Sequence, residues 1–127
     1  MSHSAKTVVE TMFAAFLEGD VEKILSTVSE DTDWIYHGTQ VIPKARFSGK
    51  DGVKTFFTNI LSRTEMLRFE IDQYIVEGNR LVVLGGEHQR VKRSGRELKQ
   101  KWVQIYTVGN NLIVRMEEFA TTETAES

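Results

Sequence analysis

The fold is decided by three segments in the first half of the chain, which read Glu18-Gly19-Asp20-Val21, Trp34-Ile35-Tyr36 and Phe47-Ser48-Gly49-Lys50-Asp51-Gly52-Val53. An apolar helix is predicted to end at Gly19, because glycine adopts a positive φ without steric strain. Asp20 is a favourable N-cap, so a second helix is predicted from there to about Asp31. An aromatic strand follows, then a glycine-flanked loop and a third helix. The remaining chain is strand-like, which predicts a curved sheet against a layer of helices.

Hydrophobic periodicity sets the bounds of the predicted elements. Helical spacing covers residues 4–18 and 51–62, and the apolar stripes are Val8, Val9, Met12, Phe13, Phe16 and Leu17 in the first and Val53, Phe56, Phe57, Ile60 and Leu61 in the second. Strands are predicted over residues 32–37, 67–76, 80–91, 97–108 and 112–120, and a loop with the single proline covers 38–48. The predicted fold class is α+β: a cone-shaped α+β barrel with three N-terminal helices packed on a curved, mostly antiparallel sheet. An apolar pocket is expected at its wide end.

Length and composition predict one ordinary globular domain. The chain has 127 residues, 40% apolar and 27% charged, and we expect one domain over 1–127 with an ordered core at about 5–120 and a frayed tail at 121–127. The net charge of −2 favours neither nucleic acid nor a membrane as partner. The absence of cysteine excludes disulfides and thiol chemistry, and it fits a cytoplasmic location. No apolar run reaches the ~20 residues that span a bilayer.

Strand alternation predicts which side chains face the interior. On the strand at residues 80–91, the face that carries Arg90 and continues to Lys92 is expected to be exposed to solvent. Glu87 and Gln89 lie on the other face and are therefore expected to point inward. On the next strand, the lysines at 99 and 101 are expected to face solvent in the same way. The opposite face is therefore expected to point inward, and it carries Leu98, Gln100, Trp102, Gln104 and Tyr106. The predicted interior polar set is Glu87, Gln89, Gln104 and Glu118, with Trp102 and Met116 beside it and Trp34 and Tyr36 closing the pocket.

Glu118 is the sharpest functional candidate. A carboxylate among Trp, Met and Tyr side chains loses hydration, and this raises its pKa. A carboxyl group tuned in this way can transfer protons near neutral pH. The alternatives are a structural hydrogen-bond network with Gln104, Tyr36 or Trp102, or a side chain in solvent.

The order of these elements resembles the nuclear-transport-factor-2-like superfamily, and within it the ketosteroid-isomerase-related, SnoaL-like branch. The resemblance runs from about Val8 to Ala120. It is carried by the following segments: Phe16-Leu17-Glu18-Gly19-Asp20, Glu30-Asp31-Thr32-Asp33-Trp34, Phe47-Ser48-Gly49-Lys50-Asp51-Gly52-Val53, Glu77-Gly78-Asn79-Arg80-Leu81-Val82-Val83, and Asn111-Leu112-Ile113-Val114 with Glu117-Glu118. It implies the fold, but the superfamily includes isomerases, cyclases, dehydratases, epoxide hydrolases and binding modules. It also implies a homodimer through the outer sheet face, where Val103, Ile105 and Phe119 are apolar.

Within this resemblance, the catalytic Asp of SnoaL-like cyclases and of limonene epoxide hydrolase falls at Glu118. The second acid of the hydrolase falls near Glu87, but its Arg partner falls near Gly85, which argues against epoxide hydrolysis. Steroid isomerase uses an Asp base, a Tyr donor and a protonated Asp. Here Tyr36 and Met12 occupy the first two positions, and no carboxylate lies between residues 98 and 116. Steroid isomerisation is therefore not expected.

The resulting hypothesis is a protein that binds a small apolar organic ligand with a carbonyl or enol group and catalyses isomerisation, cyclisation or dehydration by proton transfer. The hypothesis assigns catalysis to Glu118, Tyr36 and Glu87 and the substrate pocket to Trp34, Phe13, Trp102, Gln104 and Met116. No cofactor is implied, and the dispersed histidines at 37 and 88 do not favour a metal site. The alternative is a non-catalytic ligand-binding or dimerisation module of the same fold.

Overall fold

Three helices and six strands account for most of the computed structural model, which describes residues 4–38 and 43–124. The helices are α1 (Ala5–Glu18), α2 (Val21–Leu25) and α3 (Gly49–Arg63). The strands are β1 (Val28–Tyr36), β2 (Ala45–Ser48), β3 (Thr64–Glu77), β4 (Arg80–Val91), β5 (Glu97–Gly109) and β6 (Leu112–Thr124). No helix in the described part of the chain is both long and apolar enough to cross a membrane.

Side-chain and backbone caps fix both ends of α1. The Ser4 hydroxyl accepts the Thr7 N–H at 3.1 Å, and Gly19 ends the helix in the left-handed conformation with φ 72°. The Asp20 carboxylate then accepts the Lys23 N–H, which starts α2 as predicted. The apolar stripe of α1 is buried except for Leu17, which is 58% exposed and does not belong to the core.

The second helix is shorter than predicted. The hydroxyls of Ser26 and Thr27 donate to the carbonyls of Lys23 and Ile24, both at 2.6 Å, so local side-chain bonds replace the next helical turn. The chain enters β1 at Val28. The predicted extension of the helix to about residue 31 is therefore wrong.

The sheet has the strand order β2-β1-β6-β5-β4-β3. Strands β1 and β6 are parallel and all other neighbours are antiparallel, which confirms the predicted α+β class with its curved, mostly antiparallel sheet. The sheet is not closed, because β2 and β3 form its edges. Two strand predictions were wrong: β2 lies within the predicted loop, and β6 pairs with β5 as far as Thr124 rather than stopping at residue 120.

An aromatic core joins the helices to the concave face of the sheet. Phe57 of α3 packs edge-on against Trp34 of β1, with ring centroids 5.4 Å apart. Phe13 of α1 packs edge-on against Tyr106 of β5 at 6.1 Å. The Trp34 indole N–H donates to the buried hydroxyl of Thr32 at 3.1 Å, which satisfies its polar group inside the core. This packing holds α1 and α3 apart from part of the concave face and leaves a cavity there.

Candidate ligand cavity and its two carboxyl groups

A cavity of about 340 Å³ lies between α1, α3 and the concave face of the sheet. This volume is in the range of small-molecule binding sites. The helices supply mainly apolar walls, and the residues from them are Met12, Phe13, Phe16, Phe56, Phe57 and Ile60. The strands supply the polar groups, which are Tyr36, Glu87, Gln89, Gln100, Gln104, Tyr106 and Glu118.

Most residues predicted for the site lie together on this cavity. Those that line it are Phe13, Trp34, Tyr36, Glu87, Gln104, Met116 and Glu118. Trp102 was predicted as a wall of the pocket, but it is not among the lining residues. Its ring is buried next to the cavity and stacks on Phe69 with centroids 5.6 Å apart.

Strand register explains how residues distant in sequence meet. Glu118 of β6 is opposite Tyr36 of β1 on one side and opposite Gln104 of β5 on the other. Glu87 of β4 is opposite Gln100 of β5. Two residues earlier on β4, Gly85 is opposite Trp102. Since side chains two residues apart share a face, all five polar side chains point to the same concave surface.

The carboxylate of Glu118 accepts one amide N–H on each oxygen. Gln104 Nε2 donates to Oε1 at 2.9 Å, and Gln100 Nε2 donates to Oε2 at 3.0 Å. Only 5% of Glu118 is exposed. Two amides therefore hold the carboxylate in one orientation inside the cavity.

Two tyrosines fix the orientation of these amides. The Tyr106 hydroxyl donates to Gln104 Oε1 at 2.6 Å, and the Tyr36 hydroxyl donates to Gln100 Oε1 at 3.4 Å. Because each amide oxygen faces a hydroxyl donor, each amide nitrogen is turned towards Glu118. The chain of hydrogen bonds from tyrosine to glutamine to carboxylate is thus directional on both sides of Glu118.

Burial shifts the acidity of Glu118 into the neutral range. Desolvation raises its pKa from 4.5 to about 7, and the hydrogen bonds from Gln104 and Gln100 oppose this effect by stabilising the ionised form. Burial also raises the pKa of Tyr106 well above its ordinary value, and the nearby charge of Glu118 adds to this effect. The Tyr106 hydroxyl therefore stays protonated and remains a donor.

Glu87 is a second carboxyl group with a raised pKa. Burial, with a further contribution from the charge of Glu118, raises its pKa to about 8. At neutral pH Glu87 is therefore mostly protonated, while Glu118 is about half ionised. One cavity thus holds a potential proton donor and a potential proton acceptor side by side.

Gly85 has no space for a side chain. A Cβ built there would lie 2.5 Å from Trp102 Cη2 and would also collide with the Glu70 carbonyl oxygen. The Trp102 ring thus fills the space beside the Gly85 backbone.

Sequence reasoning placed Gln100 and Tyr106 on the inward face but did not include them in the polar network. Their shared parity with Gln104 was the available signal. Asn59 and Arg63 of α3 also line the cavity and were not singled out, because their position depends on how the helix crosses the sheet.

The two histidines at 37 and 88 lie outside the cavity. His37 Nε2 is 2.7 Å from Glu117 Oε2, and its ring stacks on Phe119 with centroids 4.2 Å apart. His88 Nε2 is 2.7 Å from Glu97 Oε1. Within residues 4–38 and 43–124 no group of three or more His, Asp or Glu side chains is arranged to hold a metal ion.

The fold and the cavity define a cone-shaped α+β domain of the nuclear-transport-factor-2-like class. Residues 9–116 match the model of the SnoaL-like domain, and the chain belongs to that family. This confirms the resemblance found in the sequence.

Solved structures share this fold. A nuclear-transport-factor-2-like protein from Burkholderia xenovorans is 23% identical with a TM-score of 0.81, over 94% of this chain and 91% of that chain. The protein TerC, co-crystallised with polyporic acid, is 24% identical with a TM-score of 0.75, over 91% and 89%. A Mesorhizobium loti protein proposed to be a SnoaL-like polyketide cyclase is 15% identical with a TM-score of 0.71, over 92% and 99%. No curated protein matches the chain.

Proposed function

We propose that this protein binds a small, mostly apolar organic molecule and catalyses proton transfer next to a carbonyl or enol group without a cofactor. The product would be an isomer, a cyclised compound or a dehydrated compound. The observation that carries the proposal is Glu118, a carboxyl group with a pKa of about 7 on the wall of an aromatic cavity. A general base is most effective when its pKa is near the working pH.

In the proposed mechanism, ionised Glu118 removes a proton from the carbon next to a carbonyl group. The C–H electron pair moves into the new C=C bond of an enolate, and the carbonyl oxygen gains the negative charge. Protonated Glu87 donates a hydrogen bond to that oxygen and lowers the energy of the enolate. Where the substrate has a C=C bond conjugated with this enolate, protonated Glu118 returns its proton to the far carbon of the dienolate. The carbonyl re-forms and the C=C bond shifts, which completes an isomerisation.

The glutamines and tyrosines act as positioning residues in this mechanism. Gln100 and Gln104 each hold one oxygen of Glu118, which limits the rotation of the carboxylate. Tyr36 also lines the cavity, and its hydroxyl would act as a second donor to the substrate oxygen by turning its one O–H from Gln100 to that oxygen. Fixed donors and a fixed base remove the reorganisation that water would need during proton transfer.

The polyporic acid co-crystallised with TerC supports an organic ligand for this fold. The proposed polyketide cyclase among the similar structures supports a reaction on a carbonyl-rich compound. The chemistry proposed for the present chain rests on its own two carboxyl groups.

Hydrogen exchange of a model ketone tests the proposal without knowledge of the natural substrate. We would incubate 2-tetralone, a bicyclic ketone, with the protein in D₂O and follow loss of the proton signal next to the carbonyl by NMR. Glu118→Gln should reduce the protein-catalysed rate about 100-fold, since general bases typically contribute 10²–10⁴-fold. The matched control is Glu117→Gln, because Glu117 lies on the opposite face of β6 and pairs with His37.

The pH profile provides a second readout in the same assay. The exchange rate should rise through pH 7 as Glu118 ionises and fall above about pH 8 as Glu87 loses its proton. An equal rate for both variants, or a rate without this maximum, would contradict the catalytic roles of the two acids.

A binding-only function has one observation in its favour. Both oxygens of Glu118 already accept protein hydrogen bonds, as a structural carboxylate would. In that case Glu118→Gln would lower the stability of the fold. Ketone exchange would proceed at the uncatalysed rate with the wild type and with every variant.

We further propose a homodimer formed through the outer sheet face. Phe119 on this face is 45% exposed, and Val103 and Ile105 are partly exposed beside it. Neighbouring exposed apolar side chains on a sheet often mark an association surface.

A further inference from the structure

The edge of the cavity near the end of α3 carries three polar side chains that the proposed mechanism does not use. Asn59 and Arg63 are four residues apart, so they share one face of α3, and both line the cavity. Gln89 of β4 lines it as well. Backbone contacts bring the two elements together at this point, because the Lys92 N–H donates to the Arg63 carbonyl at 2.9 Å. We call these three residues, Asn59, Arg63 and Gln89, the polar edge.

The polar edge is not occupied by interactions within the described protein. Gln89 is only 6% exposed, and its amide forms no hydrogen bond with any residue that the structure describes. Arg63 pairs with no carboxylate in residues 4–38 and 43–124. Gln89 is a mostly buried residue whose amide has no partner among the described residues, and Arg63 is an exposed residue at the edge of the same cavity. Together these groups suit a ligand group that pairs with both.

Arg63 is also not required to complete the helix. The last carbonyls of α3 already have other donors: the Thr64 hydroxyl donates to Ile60 O at 2.6 Å, and Lys92 Nζ donates to Leu61 O at 3.1 Å. These bonds satisfy the helix end, where a cation is otherwise favourable. The guanidinium of Arg63 therefore remains available to the cavity.

The charges that line the cavity differ between the part that contains Glu118 and Glu87 and the polar edge. Ionised Glu118 disfavours an anion beside it, whereas Arg63 is the single cationic side chain among the described residues that line the cavity. A guanidinium with neighbouring amide donors suits a carboxylate, which accepts several hydrogen bonds at once. An acidic ligand would therefore enter with its anionic group at the polar edge.

We infer that the ligand is an organic acid whose carboxylate pairs with Arg63, Asn59 and Gln89 while its apolar body lies along the aromatic walls. This inference rests on the proposed function only in assigning the ligand to the same cavity. It makes Arg63 a specificity-determining residue.

A pair of probes with the same shape and different charge tests this inference. Binding of 2-naphthoate and of 2-naphthamide would be measured by isothermal titration calorimetry at pH 7.5 and low salt. The wild type should bind naphthoate about tenfold more tightly than naphthamide, in line with the contribution of a hydrogen bond to a charged group. Arg63→Gln should remove this preference. Arg93→Gln, which changes an exposed arginine away from the cavity, should retain it.

The outcomes separate this inference from the catalytic proposal. Equal binding of both probes by the wild type, no binding of either, or an unchanged preference in Arg63→Gln overturns the inference. Ketone exchange that depends on Glu118 would still support proton transfer in that event. Conversely, a naphthoate preference that depends on Arg63 supports an acidic ligand even if Glu118→Gln has no effect on exchange.

Discussion

Replacing Glu118 by Gln should change how stability depends on pH, and the sign follows from the direction of the pKa shift. Burial raises the folded-state pKa of Glu118 to about 7 from an ordinary value of 4.5. The folded state therefore holds this proton more tightly than the unfolded state. The resulting contribution to stability is complete below pH 4.5 and is lost as the pH rises through 7. Glutamine does not ionise, so the variant lacks this dependence.

The magnitude follows from the size of the shift. One pKa unit corresponds to roughly 1.4 kcal/mol, so between pH 5 and pH 8 the wild type should lose about 2–3 kcal/mol of unfolding free energy through Glu118. The variant also has a fixed defect relative to the wild type with Glu118 protonated. Its amide nitrogen must face either Gln104 Nε2 or Gln100 Nε2, and this unmatched donor pair costs about 1–3 kcal/mol. The variant should thus be clearly less stable at pH 5 and close to the wild type at pH 8.

Urea unfolding followed by tryptophan fluorescence at pH 5, 6.5 and 8 measures this difference at fixed protein concentration. Glu117→Gln is the matched control. Hydrogen bonding by His37, with the charge of Arg115 in support, lowers the pKa of Glu117. Its carboxylate is already ionised at pH 5, so Glu117 itself does not titrate between pH 5 and pH 8, and this variant should keep the stability change that Glu118 contributes near pH 7. A constant difference between Glu118→Gln and the wild type from pH 5 to pH 8 would refute the assignment of a raised pKa.

Two further predictions concern packing and assembly. Gly85→Ala should lower the unfolding free energy by about 1–3 kcal/mol or more in the same urea assay, because the new methyl group collides with Trp102. Gly109→Ala is the control and should have a smaller effect, because its methyl group would make only an ordinary contact at 3.5 Å. Equal effects of the two substitutions would contradict this account of the Trp102 position. Phe119→Asp should convert the proposed dimer to a monomer in sedimentation velocity, because it places a charge in the apolar surface. A wild-type chain that is monomeric at all concentrations would argue against the dimer.

The inward faces of the central strands were predictable from sequence because those strands are regular across the cavity. Strands β4 and β5 pair without a register shift, and β5 and β6 shift only at residues 107–108, outside the row that contains Gln104 and Glu118. Alternating lysines at 99 and 101 then identify the outer face without ambiguity. The position of Glu118 in the interior follows directly from this alternation.

Other parts of the structure depend on contacts that sequence patterns do not contain. The short strand β2 offers only four residues of alternation, and it exists because it pairs with β1. The early end of α2 depends on two hydroxyls that bond back to the helix, at Ser26 and Thr27. Arg63 and Asn59 reach the cavity only because α3 crosses the concave face of the sheet.

The most direct test of the central claim is an NMR titration of the Glu118 carboxyl carbon in protein labelled with ¹³C at the glutamate side-chain carboxyl groups. The Glu118 resonance would be assigned as the one that disappears in Glu118→Gln. A midpoint near pH 7 is the predicted result, because burial in the cavity raises the pKa to about that value. A midpoint near the ordinary value of 4.5 would contradict the claim that Glu118 can exchange protons with a ligand at neutral pH.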